Sequence, residues 1–158
     1  MRSTSPILLL LSIASTSLSA QVDQSTTLTI GDPAPPLRIR EWPKGDPFQH
    51  FEKGRVYVLE FWATWCAPCR AAIPHLSALA GKYKDKVTII GVDLLGQEIV
   101  PLKKVKAFVD SMGDRMNYHV AAEDSNFMRT GWMDATGASG IPHTYVVDGE
   151  GRLGIRIN

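Results

Sequence analysis

Apolar positions follow two rhythms along this chain, and each predicts an element. Val56–Trp62 is a nearly continuous run of apolar, β-branched and aromatic residues, which suits a central strand covered on both faces. Residues 87–92 have the same character and predict a second core strand that ends at Asp93. Over 67–84 the apolar residues Ile73, Leu76, Leu79, Ala80 and Tyr83 recur at helical spacing, so a long helix is expected, kinked where Pro74 removes a backbone bond. A second amphipathic helix is predicted over 98–112, with Val105, Phe108, Val109 and Met112 on one face and Gly113-Asp114 ending it. Residues 37–42 alternate, Leu37 and Ile39 facing one way and Arg38 and Arg40 the other, which predicts a short strand. Further on, 117–121 predicts a short strand and 125–134 a helix with Phe127, Met128 and Trp132 inward. Thr144 to Asp148 and Arg152 to Ile157, joined by Gly149-Glu150-Gly151, read as a hairpin over 143–157.

The chemistry sits at one junction of this pattern. Cys66 and Cys69 are the only two cysteines, and they fall where the first core strand gives way to the first helix. A C-x-x-C at such a place reads as a redox dithiol. Pro68 suits the first turn of a helix, because its φ is already helical and its missing N–H would have had no partner there. Cys66 is then at the helix N-terminus, where free N–H groups and the dipole favour a thiolate. The expected division of labour is Cys66 as nucleophile and Cys69 as the resolving thiol that breaks a mixed disulfide. A zinc site needs about four ligands, yet there is no second C-x-x-C, and His50, His75, His119 and His143 show no ligand spacing. A c-type haem site requires His where Arg70 stands. A purely structural disulfide stays open as an alternative. Glu60 is the one acid inside the first core strand, and a buried carboxylate is costly unless paired or protonated. Two readings of it stand: a strand-end acid reaching water, or a buried acid that exchanges protons with Cys69.

Composition narrows the class. The chain of 158 residues, 44% hydrophobic and 21% charged, suits one soluble globular domain. Arg2 is the only charge in the first twenty residues, so the remainder is near neutral, which argues against nucleic acid or an anionic membrane surface as partner. Arg2, the apolar run from Ile7 to Leu11, and the small residues before Ala20 read as a cleaved signal peptide over 1–20. The apolar run is far short of the ~20 residues that a spanning helix needs. Residues 21–29 read as a flexible arm and 30–158 as the folded domain. Export, to the periplasm or another extracytoplasmic compartment, would put the dithiol in oxidising surroundings.

The order of strand, C-x-x-C helix, strand, helix, Ile-Pro and hairpin resembles the thioredoxin-like fold. Phe61-Trp62-Ala63-Thr64-Trp65-Cys66-Ala67-Pro68-Cys69-Arg70 is similar to the exported TlpA/ResA branch of that superfamily. The opening Ile30-Gly31-Asp32-Pro33-Ala34-Pro35 and the closing Gly140-Ile141-Pro142-His143-Thr144-Tyr145-Val146-Val147-Asp148 resemble the same branch. The resemblance implies an α/β fold of three layers: a central mixed sheet, helices on both faces, and a helix-strand insertion between Glu98 and Ala121. It implies a cis peptide before Pro142, with the Ile141 backbone free to pair with a substrate. Trp65 would flank the disulfide and shield it, and with Ala67, Pro68, Ile141 and Pro142 it would bind the substrate. Glu60 lies where thioredoxins carry their buried acid. Trp62 is expected in the core, and His143 as a solvated strand-edge residue.

Two departures from that pattern matter. The strand over 87–92 carries no Lys to partner Glu60, so the Glu60 pKa is expected to be raised. The family's C-terminal helix has no counterpart before Asn158, which leaves open a truncated chain or an uncovered sheet face. The function implied is thiol–disulfide exchange on exported proteins. A reducing direction is favoured because Ala67-Pro68 lacks the His of strongly oxidising relatives. Protein disulfides or dithiols would be the substrates and a membrane-embedded electron donor the partner, with no metal or organic cofactor. The rivals are a peroxidase of the redoxin class and a copper or haem-maturation metallochaperone using the same dithiol.

Overall fold

The computed structural model describes residues 27–94, 101–123 and 125–157. The signal peptide expected over 1–20, most of the arm expected over 21–29, and positions 98–100 of the second expected helix lie outside the described residues. Strands β1 (Ile39–Lys44), β2 (Val56–Trp62), β3 (Val87–Asp93), β4 (His119–Glu123), β5 (His143–Val147) and β6 (Leu153–Ile157) form one sheet in the order β1-β4-β3-β2-β5-β6. The three central strands β4, β3 and β2 run parallel, while β1, β5 and β6 are antiparallel to their neighbours. The sheet is therefore mixed, as expected.

Two cores follow from the pleat, because alternate residues of a strand face opposite sides. On one face Val58 and Trp62 of β2 pack with Cys69, Ile73 and Leu76 of helix α1 (Ala67–Lys82) and with Val105 and Val109 of α2 (Leu102–Met112). On the other face Tyr57, Leu59 and Phe61 pack with Met128, Trp132 and Met133. The segment carrying the last three is wound as a π-helix over Arg129–Asp134. It closes the third layer together with the chain around Leu28 and Leu37.

β2 matches its sequence pattern residue for residue, and β3 ends at Asp93 as expected. Helix α1 runs through Pro74 to Lys82. The edges of the fold differ more. β1 starts and ends two residues later than its alternation implied, because its pairing with β4 shifts register twice. Its end is held by an aromatic cluster in which Trp42 and Phe48 ring centroids lie 4.8 Å apart. Gly45 turns the chain there at φ 83°, and a Cβ on it would meet His119 Cδ2 at 2.5 Å. β4 likewise starts two residues late, at His119, after a 3-10 turn over Gly113–Met116. Within the described residues α2 begins at Leu102, with Pro101 as its N-cap.

Phe127 is not inward. Ser125 and Asn126 both have positive φ, which breaks the expected helical phase and leaves Phe127 half exposed beneath the Arg38 guanidinium, 5.0 Å from its ring centroid. His143 is not a solvated edge residue either. β5 lies between β2 and β6, so His143 is paired opposite Phe61 and is buried. No helix among the described residues is long and apolar enough to cross a membrane.

Candidate active site

The dithiol is placed by the strand-to-helix turn that the sequence encodes. Cys66 is the N-cap of α1, in an extended conformation, and its Sγ accepts the Cys69 N–H at 3.3 Å. Ala67 and Pro68 occupy the exposed first turn. Cys66 and Cys69 are joined by a disulfide, with Cα atoms 5.3 Å apart. Cys66 is 4% exposed and Cys69 fully buried, so only the first sulfur is near the surface. That asymmetry suits an outer nucleophile and an inner resolving group.

The peptide bond between Ile141 and Pro142 is cis. Ile141 packs against the cluster that contains both cysteines. Trp65 is 56% exposed, and with Ile141 it lines a cavity of about 240 Å³ whose other walls include Leu94, Arg129 and Met133. Trp65, Ile141 and the dithiol therefore share one end of the sheet, the C-terminal end of the parallel strands. Trp62 is fully buried in the core, as expected.

Glu60 lies on the same sheet face as the cysteines, two residues before Trp62 and opposite Gly91 of β3. It is 2% exposed, and neither carboxyl oxygen has a hydrogen-bond partner among the described residues. Burial raises its pKa to about 8, because the charged form loses its hydration and gains no cation in return. This agrees with the absence of a lysine in β3. At neutral pH the acid is mainly protonated and can give a proton, while the minority carboxylate form can take one.

Two further buried groups lie outside the residues singled out from the sequence. Asp93 ends β3 at 2% exposure, and burial, followed by the charge of Glu123, raises its pKa to about 7. An acid closing an apolar strand was the available signal. Tyr118 is buried with its hydroxyl unpaired, and burial together with Glu60 pushes its pKa up. Nothing local in the sequence ties Tyr118 to Glu60. His143 stands apart from this group, on the other sheet face against Tyr145, with its pKa lowered by burial and then by Arg156.

Known proteins resemble this chain in sequence and in fold. The profile of the AhpC/TSA family matches residues 30–155. Protein FixW of Rhizobium leguminosarum is 30% identical over 134 residues, covering 82% of this chain and 60% of its own length. The thiol:disulfide interchange protein HelX of Rhodobacter capsulatus is 32% identical over 133 residues, covering 83% of this chain and 69% of its own. The chain thus spans only about three fifths to two thirds of the length of these relatives. Among solved structures, a thiol:disulfide interchange protein of the thioredoxin family from Chlorobium tepidum superposes with a TM-score of 0.63 at 28% identity, over 80% of this chain and 84% of that one. The fold is thioredoxin-like.

Proposed function

The chain belongs to the AhpC/TSA family, and on that footing we propose that it is a thiol–disulfide oxidoreductase acting as a reductant of protein disulfides. The observation that carries this reading is the Cys66–Cys69 pair across the first turn of α1, one sulfur near the surface and the other sealed in the core. In the reduced protein the Cys69 N–H and the helix N-terminus stabilise a Cys66 thiolate. That thiolate attacks one sulfur of a substrate disulfide, and the other substrate sulfur leaves as a thiolate. Cys69 passes its proton to Glu60 and attacks Cys66 Sγ. The mixed disulfide breaks and the Cys66–Cys69 bond forms. Two electrons have moved from the dithiol to the substrate.

Trp65, Ala67, Pro68, Ile141 and Pro142 form the docking surface in this scheme, with the Ile141 backbone pairing with an extended substrate segment. Regeneration runs in reverse: a donor thiolate opens the disulfide, and the departing Cys69 sulfur takes its proton from the neutral Glu60. The names of HelX and of the Chlorobium protein, which describe thiol–disulfide interchange, support the reaction class. Export, removal of the segment 1–20 and a membrane-embedded donor complete the proposal.

The test is the equilibrium reduction potential of Cys66–Cys69, read by alkylation mass shift across glutathione ratios. A value near about −270 mV is expected for a reductant, and one near about −120 mV would reverse the direction. Failure to form the disulfide at any ratio would refute the redox reading. Peroxide consumption and metal titration of the reduced protein, measured alongside, separate exchange from peroxidase and metallochaperone chemistry.

A further inference from the structure

The cavity of about 240 Å³ beside Trp65 has an uneven lining. Trp65, Leu94, Met133 and Ile141 give it apolar walls, while Arg129 and Ser139 give it polar ones. Arg129 is the one ionisable residue among its described walls, so no carboxylate in that lining answers its charge. Arg129 opens the π-helical turn over Arg129–Asp134, and its backbone N–H donates to a Glu123 carboxyl oxygen at 3.1 Å, which fixes the start of the turn. The guanidinium meets Asp134 through Nε at 3.5 Å, beyond good hydrogen-bond length, and the two side chains are 26% and 47% exposed. So long and so wet an ion pair holds its partners weakly. It engages one of the five N–H donors of a guanidinium, so the capacity of Arg129 exceeds this contact. Ser139 and Gly140 also border a neighbouring cavity of about 290 Å³, which reaches Pro142 and has Arg156 in its lining. Each cavity bordering the Ile141-Pro142 turn therefore carries an arginine and no acid among its described walls.

We infer that Arg129 is a specificity-determining residue: the cavity receives a glutamate side chain of the substrate segment that carries the disulfide, with the carboxylate on the Arg129 guanidinium. The protein accordingly selects disulfides set in acidic sequence. Size favours a side chain as the occupant, since pockets that take whole small molecules measure roughly 300–1,000 Å³. The mixed lining favours glutamate, whose methylenes suit Leu94 and Met133 and whose carboxylate matches the planar fork of an arginine. A lysine would set two cations together across the docked surfaces, where like charges are costly. A leucine would suit the apolar walls and gain nothing from Arg129.

The inference rests on the proposal that Trp65, Ile141 and Pro142 dock the substrate. In that scheme an extended segment pairs with the Ile141 backbone, and its side chains alternate between the protein and solvent. Ile141 and Trp65 also wall the cavity, so one position of the segment falls against it. Arg129 takes no part in the exchange of electrons between sulfurs. It acts on which segment is held while the exchange occurs.

The experiment measures second-order rate constants for reduction of disulfide-linked peptide dimers by the reduced protein. Each peptide carries Glu, Gln, Lys or Leu at one of the positions flanking its cysteine. At one of those positions the Glu peptide should react about five- to tenfold faster than the Lys peptide and about threefold faster than the Gln peptide, and the preference should shrink at about 0.5 M salt. Arg129→Gln should bring the Glu-to-Lys ratio there to within about twofold of unity, Arg129→Lys should retain part of it, and Asp134→Asn should raise it. Ratios between peptides on one variant cancel any loss of folded protein. A ratio that Arg129→Gln leaves unchanged would overturn the inference. So would a Glu preference equal at every flanking position, which is long-range attraction rather than a seat in the cavity, or a Leu peptide that outruns Glu throughout. In each of those cases the peptides are still reduced and the proposed function stands. If wild type reduces none of them, that reading falls and the role of Arg129 with it.

Discussion

Replacing Glu60 by glutamine should flatten the pH dependence of stability of the oxidised protein. Glu60 has an ordinary carboxyl pKa of 4.5 when unfolded and about 8 when buried. Its folded pKa is raised, so the folded state holds one more proton than the unfolded state across that window. The stability associated with the neutral acid is therefore complete below pH 4.5 and is lost as pH rises through about 8. The slope inside the window is about 1.4 kcal/mol per pH unit, which gives about 3 kcal/mol lost by pH 7 and about 5 kcal/mol across the whole of it. Those are large fractions of the 5–15 kcal/mol typical of a domain, roughly speaking. Glutamine has nearly the same shape and does not ionise. Urea melts of both proteins at intervals from about pH 5 to about pH 9 should diverge steadily, wild type losing stability relative to Glu60→Gln as pH rises. Asp93 titrates in both proteins and cancels in the difference. Parallel curves would show that Glu60 is hydrated or paired in both states, and the argument from burial would fail.

Asp93→Asn should behave in the same sense over a lower window, from 3.8 to about 7, gaining up to about 4 kcal/mol on wild type above pH 7, read as a rise in Tm. Gly45→Ala should cost about 2–3 kcal/mol, because positive φ and the His119 ring both oppose a side chain, whereas Gly54→Ala, at similar φ in open space, should cost about 1 kcal/mol; urea midpoints compare them. Trp132→Ala should cost about 3–5 kcal/mol as a fully buried aromatic, and Phe127→Ala no more than about 1 kcal/mol, since it leaves only the Arg38 contact; equal losses would restore Phe127 to the core.

The sequence by itself determined the parts whose cause is local. A run of apolar residues with one acid makes β2 wherever it is placed, and the spacing of Ile73, Leu76 and Leu79 makes a helix. Cys66, Pro68 and Cys69 fall within four consecutive residues, so the redox turn follows from their order alone. The hairpin of β5 and β6 is likewise a matter of a turn and its flanks. Only the tertiary structure decided which residues meet across the sheet. β1 and β4 slid two residues because edge pairing and the ring cluster around Gly45, rather than alternation, set their register. His143 became buried because β6 adds outside β5, and Phe127 turned out because two positive-φ residues reset the helical phase. The association of Glu60 with Trp62, Gly91 and Tyr118 depends on parallel pairing of β2 with β3 and of β3 with β4, between segments far apart in the chain. Side-chain period is a property of a segment, whereas strand order is chosen by burying both faces of the sheet at once, and no segment carries that information alone.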